Sequence, residues 1–558
     1  MSTISQAIGF NLIVISPTLV LLATALILLF CTITIETSDF VKKSITFGGI
    51  LLTIFSVFLK FGLFATDGVS SYFTEKILLD EFSLFGNVLI SLILLFNFSS
   101  IWNTSTELKD KRTEAIILTL MSASGFMLMV DSESFMMLFI GLEIGSISLY
   151  ALAGINRGDL LSNEAALKYF LLGSLASCVL VYGVALIYIS LSISGFYDSA
   201  IAIPYIGAEN VPLTTFIGFL FVIVGLLFKV AAAPFQSWAP DVYHGSPTGY
   251  VGYMASVAKV ASFLVIGRLC MVSLRYVMDN FELFFLAVVI ISIFVGSFFA
   301  TIQADMKRLI AYSGVIQSGF ILSGIVSGVN GTSASLFYLT AYTIQLIGIF
   351  TIFTIISGKL SSDFSIENLS GLFVENKFLT ICFSIFMLGL SGIVSGVNGT
   401  SASLFYLTAY TIQLIGIFTI FTIISGKLSS DFSIENLSGL FVENKFLTIC
   451  FSIFMLGLAG IPLTSGFISK FILITNLWSY ESYVLVFILM LSTVAGFYFY
   501  LRPIWVAAID KPEAPVEQIA LKRSEVLSLS VLAFATIFFG LLPDSLINLS
   551  RWVIQNYL

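Results

Sequence analysis

The sequence predicts an all-α polytopic membrane protein, and three observations predict it. Of 558 residues, 58% are hydrophobic and 10% are charged, against about 25% charged in an ordinary soluble protein. Mean hydropathy is +1.04, and one soluble core cannot hide that much apolar side chain. The apolar residues gather into long runs without strand-like alternation. Backbone groups in lipid must bond within their own segment, so these runs are helices and not the strands of a barrel. A formal net charge of −7 is too sparse to suggest a nucleic-acid partner; the lipid bilayer is the expected surrounding.

The apolar runs fall near 10–34, 41–64, 82–103, 114–131, 133–155, 163–192, 213–236, 246–270, 282–303, 308–329, 333–357, 377–397, 401–425, 445–475, 483–508 and 524–548. Each approaches or exceeds the roughly 20 residues that cross a bilayer, which makes sixteen candidate spans. Lys and Arg collect in alternate loops: Lys42, Lys43, Lys109, Lys111, Arg112, Arg157, Lys307, Arg308, Lys359, Lys377, Lys427, Lys445, Arg502, Lys511, Lys522 and Arg523. The other loops carry little beyond Lys76, Arg275 and Arg551. Positive residues mark the inner side, so both termini are expected outside. The N-terminus lacks a basic region followed by a small-residue cleavage site, so the first span is expected to be retained. Cys31, Cys178, Cys270, Cys382 and Cys450 stand singly in apolar runs. They imply neither a metal site nor a disulfide frame.

Charges deep in apolar spans are costly and mark pathways by default. Four stand out: Glu143 in LFIGLEIGSIS, Lys229 in GLLFKVAAAPF, Lys259 in ASVAKVASF and Lys470 in GFISKFILI. Structural ion pairing or snorkelling is the plainer alternative. Pro234 follows Lys229, while Gly460, Pro462 and Gly466 precede Lys470. Proline in a helix interior removes a backbone bond, so both spans are expected to break beside a lysine. Paired broken helices in two halves point to inverted repeats with a site near the membrane midplane. Burial makes a lysine's charge costly and a nearby carboxylate offsets that cost; Glu143 and Lys229 are candidates for such a pair. His244, the sole histidine, is read as a loop residue whose titration range would suit proton entry. Lys168, one turn into its span, is a supporting or a snorkelling residue. Asp305, Lys307 and Arg308 read first as an anchor at the inner face.

EAALKYFLLGS, LLFKVAAAPFQSWAPDVYHGSPT, VAKVASF, ADMKRLIAYSGVIQSGF and LAGIPLTSGFISKF resemble, as a set, the antiporter-like membrane subunits of respiratory complex I. The resemblance covers nearly the whole chain. It implies about fourteen helices in two inverted repeats: a three-helix segment over 1–113, a first repeat over 114–270, a second over 282–508 and a terminal helix over 524–558. It further implies a proton-translocating role in NADH:quinone oxidoreductase. Glu143, Lys229, Lys259 and Lys470 would be its proton-path residues, supported by Lys168, His244, Gln317, Pro234 and Pro462. Cofactors on this chain are expected to be none and metals none, with NADH and quinone used elsewhere in the complex. The implied partners are the other membrane-arm subunits, and the three-helix N-terminus points to a bacterial plasma membrane over a mitochondrial one. A subunit of a cation/proton antiporter or a membrane-bound hydrogenase is the alternative, and a structural scaffold a third. Two departures stand out. His244 replaces an acidic residue or glutamine, and Gln317 replaces a histidine common among relatives. A titrating relay at 317 is therefore not expected.

Residues Ser323–Leu390 recur letter for letter as Ser391–Leu458, and 391 − 323 = 68. The copy accounts for the surplus helix pair. Its perfect identity means a recent tandem duplication or an error in the sequence, not a diverged repeat array. A proteolytic peptide spanning Leu390–Ser391 is expected by mass spectrometry if both copies exist. Its absence beside good coverage of both flanks would exclude the duplication.

Overall fold

The computed structural model describes residues 2–34, 38–73, 76–102, 111–303, 305–357, 440–459 and 523–543, with short pieces at 461–465, 467–468, 471, 501, 504–505 and 507–509. They belong to two compact units, Met1–Ser365 and Ile366–Leu558. Among the described residues, ten helices are long and apolar enough to cross a membrane, in line with the all-α membrane fold. Residues 358–439, which hold the latter part of the first copy and most of the second, lie outside the described residues, as does Lys470.

In the first unit α1 is Ser2–Thr34, α2 Asp39–Asp67, α3 Glu81–Trp102, α4 Arg112–Val130, α5 Phe135–Ala153 and α6 Leu160–Leu191. Their bounds follow the apolar runs closely, because each run ends where polar loop residues can meet water. Large apolar side chains such as Phe58, Ile189 and Phe294 face outward, as lipid contact requires. Two features depart from the expected spans. A small antiparallel hairpin, β1 (Ser70–Tyr72) and β2 (Ile77–Leu79), joins α2 to α3. An eleven-residue helix, α7 (Phe196–Ile206), follows α6 and is too short to span. The run expected at 213–236 breaks beside Lys229, as Pro234 predicts: α8 is Leu213–Lys229, and a short helix, α9 (Trp238–Gly245), follows the break. His244 therefore sits on a short helix instead of in a loop.

The chain continues through α10 (Thr248–Arg268), a five-residue π turn at Leu269–Ser273, α11 (Asp279–Thr301), α12 (Met306–Val326) and α13 (Val329–Ser357). The apolar run through α10 is buried on all sides, Lys259 and Arg268 included. A helix apolar all round belongs in the middle of a bundle, and α10 packs against α3, α4, α8 and α13. In the second unit α14 (Leu440–Glu443) and α15 (Lys445–Ala459) precede a turn, and α16 (Arg523–Leu541) packs against α15. Helix α15 stops at Ala459, ahead of Pro462, and Leu463 adopts φ 79°. The chain thus leaves the helix ahead of Pro462, as that proline predicts.

Helices α4 and α5 meet across glycines. A side chain on Gly141 would strike the backbone of Met129, and one on Gly125 the backbone of Gly145. Small residues that admit close backbone approach are how helices pack where lipid removes the hydrophobic drive. Gly141→Leu is expected to lower the thermal unfolding midpoint of the detergent-solubilised protein, a loss of about 1–3 kcal/mol by overpacking. Gly62→Leu, which meets nothing within 4 Å, should leave the midpoint unchanged.

Candidate functional site

The break after α8 is the structural centre of the site. Lys229 ends the helix, Ala231 takes a left-handed φ of 56°, and the chain resumes as helix only at Trp238. A non-glycine residue in that conformation costs on the order of 1–3 kcal/mol, so the surroundings must hold it. Orphaned backbone groups in a membrane interior cost several kcal/mol each unless paired, and here neighbouring helices pair them. Ser318 Oγ of α12 donates to Val230 O at 2.7 Å. Ser292 Oγ of α11 accepts from Ala233 N at 2.9 Å. Trp238 Nε1 donates back to Phe228 O at 3.0 Å, and its ring stacks on Tyr169 of α6.

Lys229 is 2% exposed. Its Nζ donates to Ser146 Oγ at 3.0 Å and Tyr150 OH at 2.9 Å, and lies 5.4 Å from the Tyr150 ring centroid. Glu143, Ser146 and Tyr150 share one face of α5, being spaced three and four residues apart. Glu143 Oε1 accepts from Ser177 Oγ of α6 at 2.5 Å. The expected Glu143–Lys229 pair is therefore not a direct one. The lysine docks one turn further along the same helix face, on uncharged hydroxyls.

Lys259 lies in similar surroundings. Its Nζ donates to Gly314 O at 2.7 Å, with Tyr342 OH at 3.3 Å and Ser318 Oγ at 3.4 Å, and sits 5.2 Å from the Tyr342 ring centroid. No carboxylate pairs with either lysine among the described residues. Ser318 touches both lysine neighbourhoods, because it reaches Lys259 and also the carbonyl beside Lys229. Gln317, its neighbour, accepts from Tyr338 OH, so this buried amide is fixed by a phenol. Neither Ser318 nor Tyr342 is singled out by the sequence, since hydroxyl residues in an apolar helix are common and only the fold brings these two to an ammonium.

The supporting candidates gather at the far end of the break. Lys168 Nζ pairs with Asp241 Oδ2 at 2.6 Å and with Glu164 Oε1 at 2.7 Å, while Arg308 pairs with Asp241 Oδ1 at 3.1 Å. One carboxylate on α9 thus takes a cation from α6 and another from α12. Lys307 is buried and donates to Ser246 O at 3.1 Å and His244 O at 3.4 Å, an interior strut and not the anchor expected. His244 Nδ1 lies 3.2 Å from Asp305 Oδ1, close enough for an ion pair but without hydrogen-bond alignment. Pro234 lies in the break; Pro462 lies in the turn after α15, by itself in the second unit.

Sequence reasoning passes over a second set of buried charges. Lys60, Asp80, Asp131, Glu133 and Arg268 are all at most 5% exposed. Lys60 Nζ is 2.9 Å from both Asp131 oxygens, and Arg268 grips Asp80 through Nε at 2.9 Å and one terminal nitrogen at 2.5 Å. The signal for Lys60 and Arg268 is the one that marks Lys229: a lone charge with apolar residues on both sides.

Burial pushes the Asp305 carboxyl up, but His244, the Arg308 backbone N–H and nearby Lys307 outweigh it and leave the carboxyl below its usual range. A depressed carboxylate stabilises the fold above its unfolded pKa, and that contribution is lost as pH falls through the folded value. Asp305→Asn is therefore expected to lower the thermal midpoint at neutral pH. The variant and the parent should converge in acid, below the depressed pKa; a gap that widens there would contradict the assignment.

The profile described as NADH:quinone oxidoreductase/Mrp antiporter, TM, matches residues 132–396 and 393–496. NADH-quinone oxidoreductase subunit N of Magnetococcus marinus is 33% identical over 390 residues, covering 70% of this chain and 80% of the relative. Among solved structures, a chain of the archaeal membrane-bound sulfane sulfur reductase superposes with a TM-score of 0.62 at 19% identity, covering 96% of this chain and 97% of that one. A chain of respiratory complex I from Thermus thermophilus gives 0.53 at 22%, covering 95% and 98%. These two likenesses are of fold. With a sequence profile and a relative that both span most of the chain, this protein belongs to the NADH:quinone oxidoreductase/Mrp antiporter membrane family.

Proposed function

We propose that this chain is a proton-translocating membrane-arm subunit of a respiratory NADH:quinone oxidoreductase, of the N type. The observation that carries the reading is the pair of buried lysines on α8 and α10, each held by uncharged acceptors and both bordered by Ser318. An intramembrane charge with no directly paired carboxylate among the described residues is poorly suited to a scaffold and well suited to a path. The similarity to subunit N of Magnetococcus marinus supports the assignment to complex I. The archaeal respiratory complex shares the fold at lower identity, which keeps the wider antiporter group as the second reading.

Glu143, Lys229, Lys259 and Lys470 are the residues of the path in this proposal. Reduction of quinone elsewhere in the complex would shift α5 and the break, moving the hydroxyls of Ser146 and Tyr150 relative to Lys229. The ammonium then gives its proton to a neighbouring acceptor or water, and Lys259 receives one from the same hydrated space. Lys470 would serve the corresponding break in the second unit. The membrane is a bacterial plasma membrane and both termini lie on its outer side. The other membrane-arm subunits are the partners, and this chain itself carries no redox centre.

Removing a positioned proton-transfer group costs about 10²–10⁴-fold in the step it serves. Lys229→Ala or Glu143→Ala in the assembled enzyme should therefore suppress proton pumping measured in reconstituted vesicles, with NADH oxidation slowed in coupled membranes. Normal pumping and normal redox rate in both variants would overturn the reading.

A further inference from the structure

The turn between α4 and α5, residues Asp131–Ser134, is tied to five other segments. Leu78 N of the hairpin donates to Asp131 O at 2.7 Å, and Glu133 N donates to Lys76 O at 3.0 Å. Phe196 N at the start of α7 donates to Glu133 O at 3.1 Å. Arg268, at the end of α10, donates to Val130 O at 2.7 Å and Ser132 O at 3.1 Å. Helix α2 enters through Lys60, and α3 through Asn87, whose Nδ2 donates to Asp131 Oδ1 at 2.6 Å. Backbone and side chains of five elements, the hairpin, α2, α3, α7 and α10, thus converge on this one turn.

The charges in this junction pair off with one left over. Lys60 answers Asp131 and Arg268 answers Asp80. Glu133 is the fifth charge and has no cation of its own. Its side chain is also half satisfied: Oε1 accepts from Tyr197 N at 2.8 Å, while Oε2 is buried with no hydrogen-bond partner among the described residues. An ionised carboxylate so placed would be an uncompensated buried charge. A protonated one is neutral and leaves only a hydroxyl to be answered. Tyr197 and Asp198, next to it on α7, are exposed on this chain, so a solvent-facing acceptor stands beside the buried acid.

We infer that Glu133 is a further proton-carrying site of this chain, placed at the α4–α5 end of the bundle, outside the row formed by Glu143, Lys229 and Lys259. The site rests on the proton-translocating reading and extends it to the region where a proton meets the exposed face. Its step is a proton transfer: the Glu133 Oε2–H bond breaks, an O–H bond forms on water or the Asp198 carboxylate, and Glu133 is left anionic until an interior donor restores the proton. The groups that face it are Asp80, Asp198, Arg268 and Tyr197, with the Lys60–Asp131 pair behind. Burial is the largest influence on the carboxyl and raises it; Asp198 and Asp80 add to this, while the Tyr197 N–H and Arg268 oppose it, leaving it at about 7. Helix α5 rises about 1.5 Å per residue, so Glu143 lies roughly 12 Å along the axis from the start of the helix that Glu133 precedes.

The test is infrared difference spectroscopy of the assembled enzyme titrated across neutral pH, run beside proton pumping in vesicles. The parent should show a carboxylic-acid C=O band that fades as pH rises through neutrality. Glu133→Gln should lack that band and pump fewer protons per NADH oxidised, and Glu133→Asp should restore part of both. Glu133→Gln keeps an acceptor for Tyr197 N, and its assembly into the complex is checked on a native gel. A parent without the band, or a Glu133→Gln enzyme with unchanged pumping, overturns the site. Lys229→Ala run in parallel separates the two claims: if it abolishes pumping while Glu133→Gln does not, only the Glu133 site falls. If neither changes pumping, the translocation reading falls as well.

Discussion

The constraint on which the rest of the first unit depends is the pairing of backbone groups around residues 230–237. Lipid supplies no hydrogen bonds, so a helix that stops in mid-membrane survives only if other helices answer its loose ends. Ser318, Ser292 and Trp238 do so. They bring α11 and α12 onto the break and stack α9 against α6. Packing, site and break are thus one arrangement. The chain cannot place Lys229 at a helix end inside the bundle without also placing Ser318 near Lys259.

The structure carries two populations of buried charge that differ in kind. Lys229 and Lys259 rest on hydroxyls and a carbonyl, whereas Lys60 and Arg268 rest on carboxylates. A buried ion pair is weak evidence for stability but expensive to break by removing one partner, about 3–5 kcal/mol. The Lys60–Asp131 and Arg268–Asp80 pairs therefore read as fixed struts between α2, α3, α4 and α10. The lysines on uncharged partners can change state without stranding an opposite charge, which is what a moving proton requires.

Much of this was legible in the sequence, because hydropathy reports on lipid directly. The bounds of α2 to α6 and α10 to α13 fall within a few residues of the apolar runs, and Pro234 and Pro462 mark the two breaks. What the sequence hid follows from contacts distant along the chain. Nothing local says that Ser318 and Tyr342 converge on Lys259, or that Lys229 docks on Ser146 and Tyr150. The hairpin at 70–79 and helix α7 were missed because both are too short to show a period. Lys60 and Arg268 carry the same local signal as Lys229, and only their partners distinguish strut from path; Glu133, in the polar stretch DSES, carries no such signal. The short helix that carries His244 is hard to read from sequence, since Pro240 falls in the first turn of α9, where proline is tolerated.

Helix α5 presents Glu143, Ser146 and Tyr150 on a single stripe, so the acceptor of Ser177 and the two acceptors of Lys229 share one rigid body. A helix advances by 3.6 residues per turn, and residues on one stripe rotate together. The contacts of the glutamate and of the lysine are consequently not two adjustable quantities but one degree of freedom, the angle of α5 about its own axis.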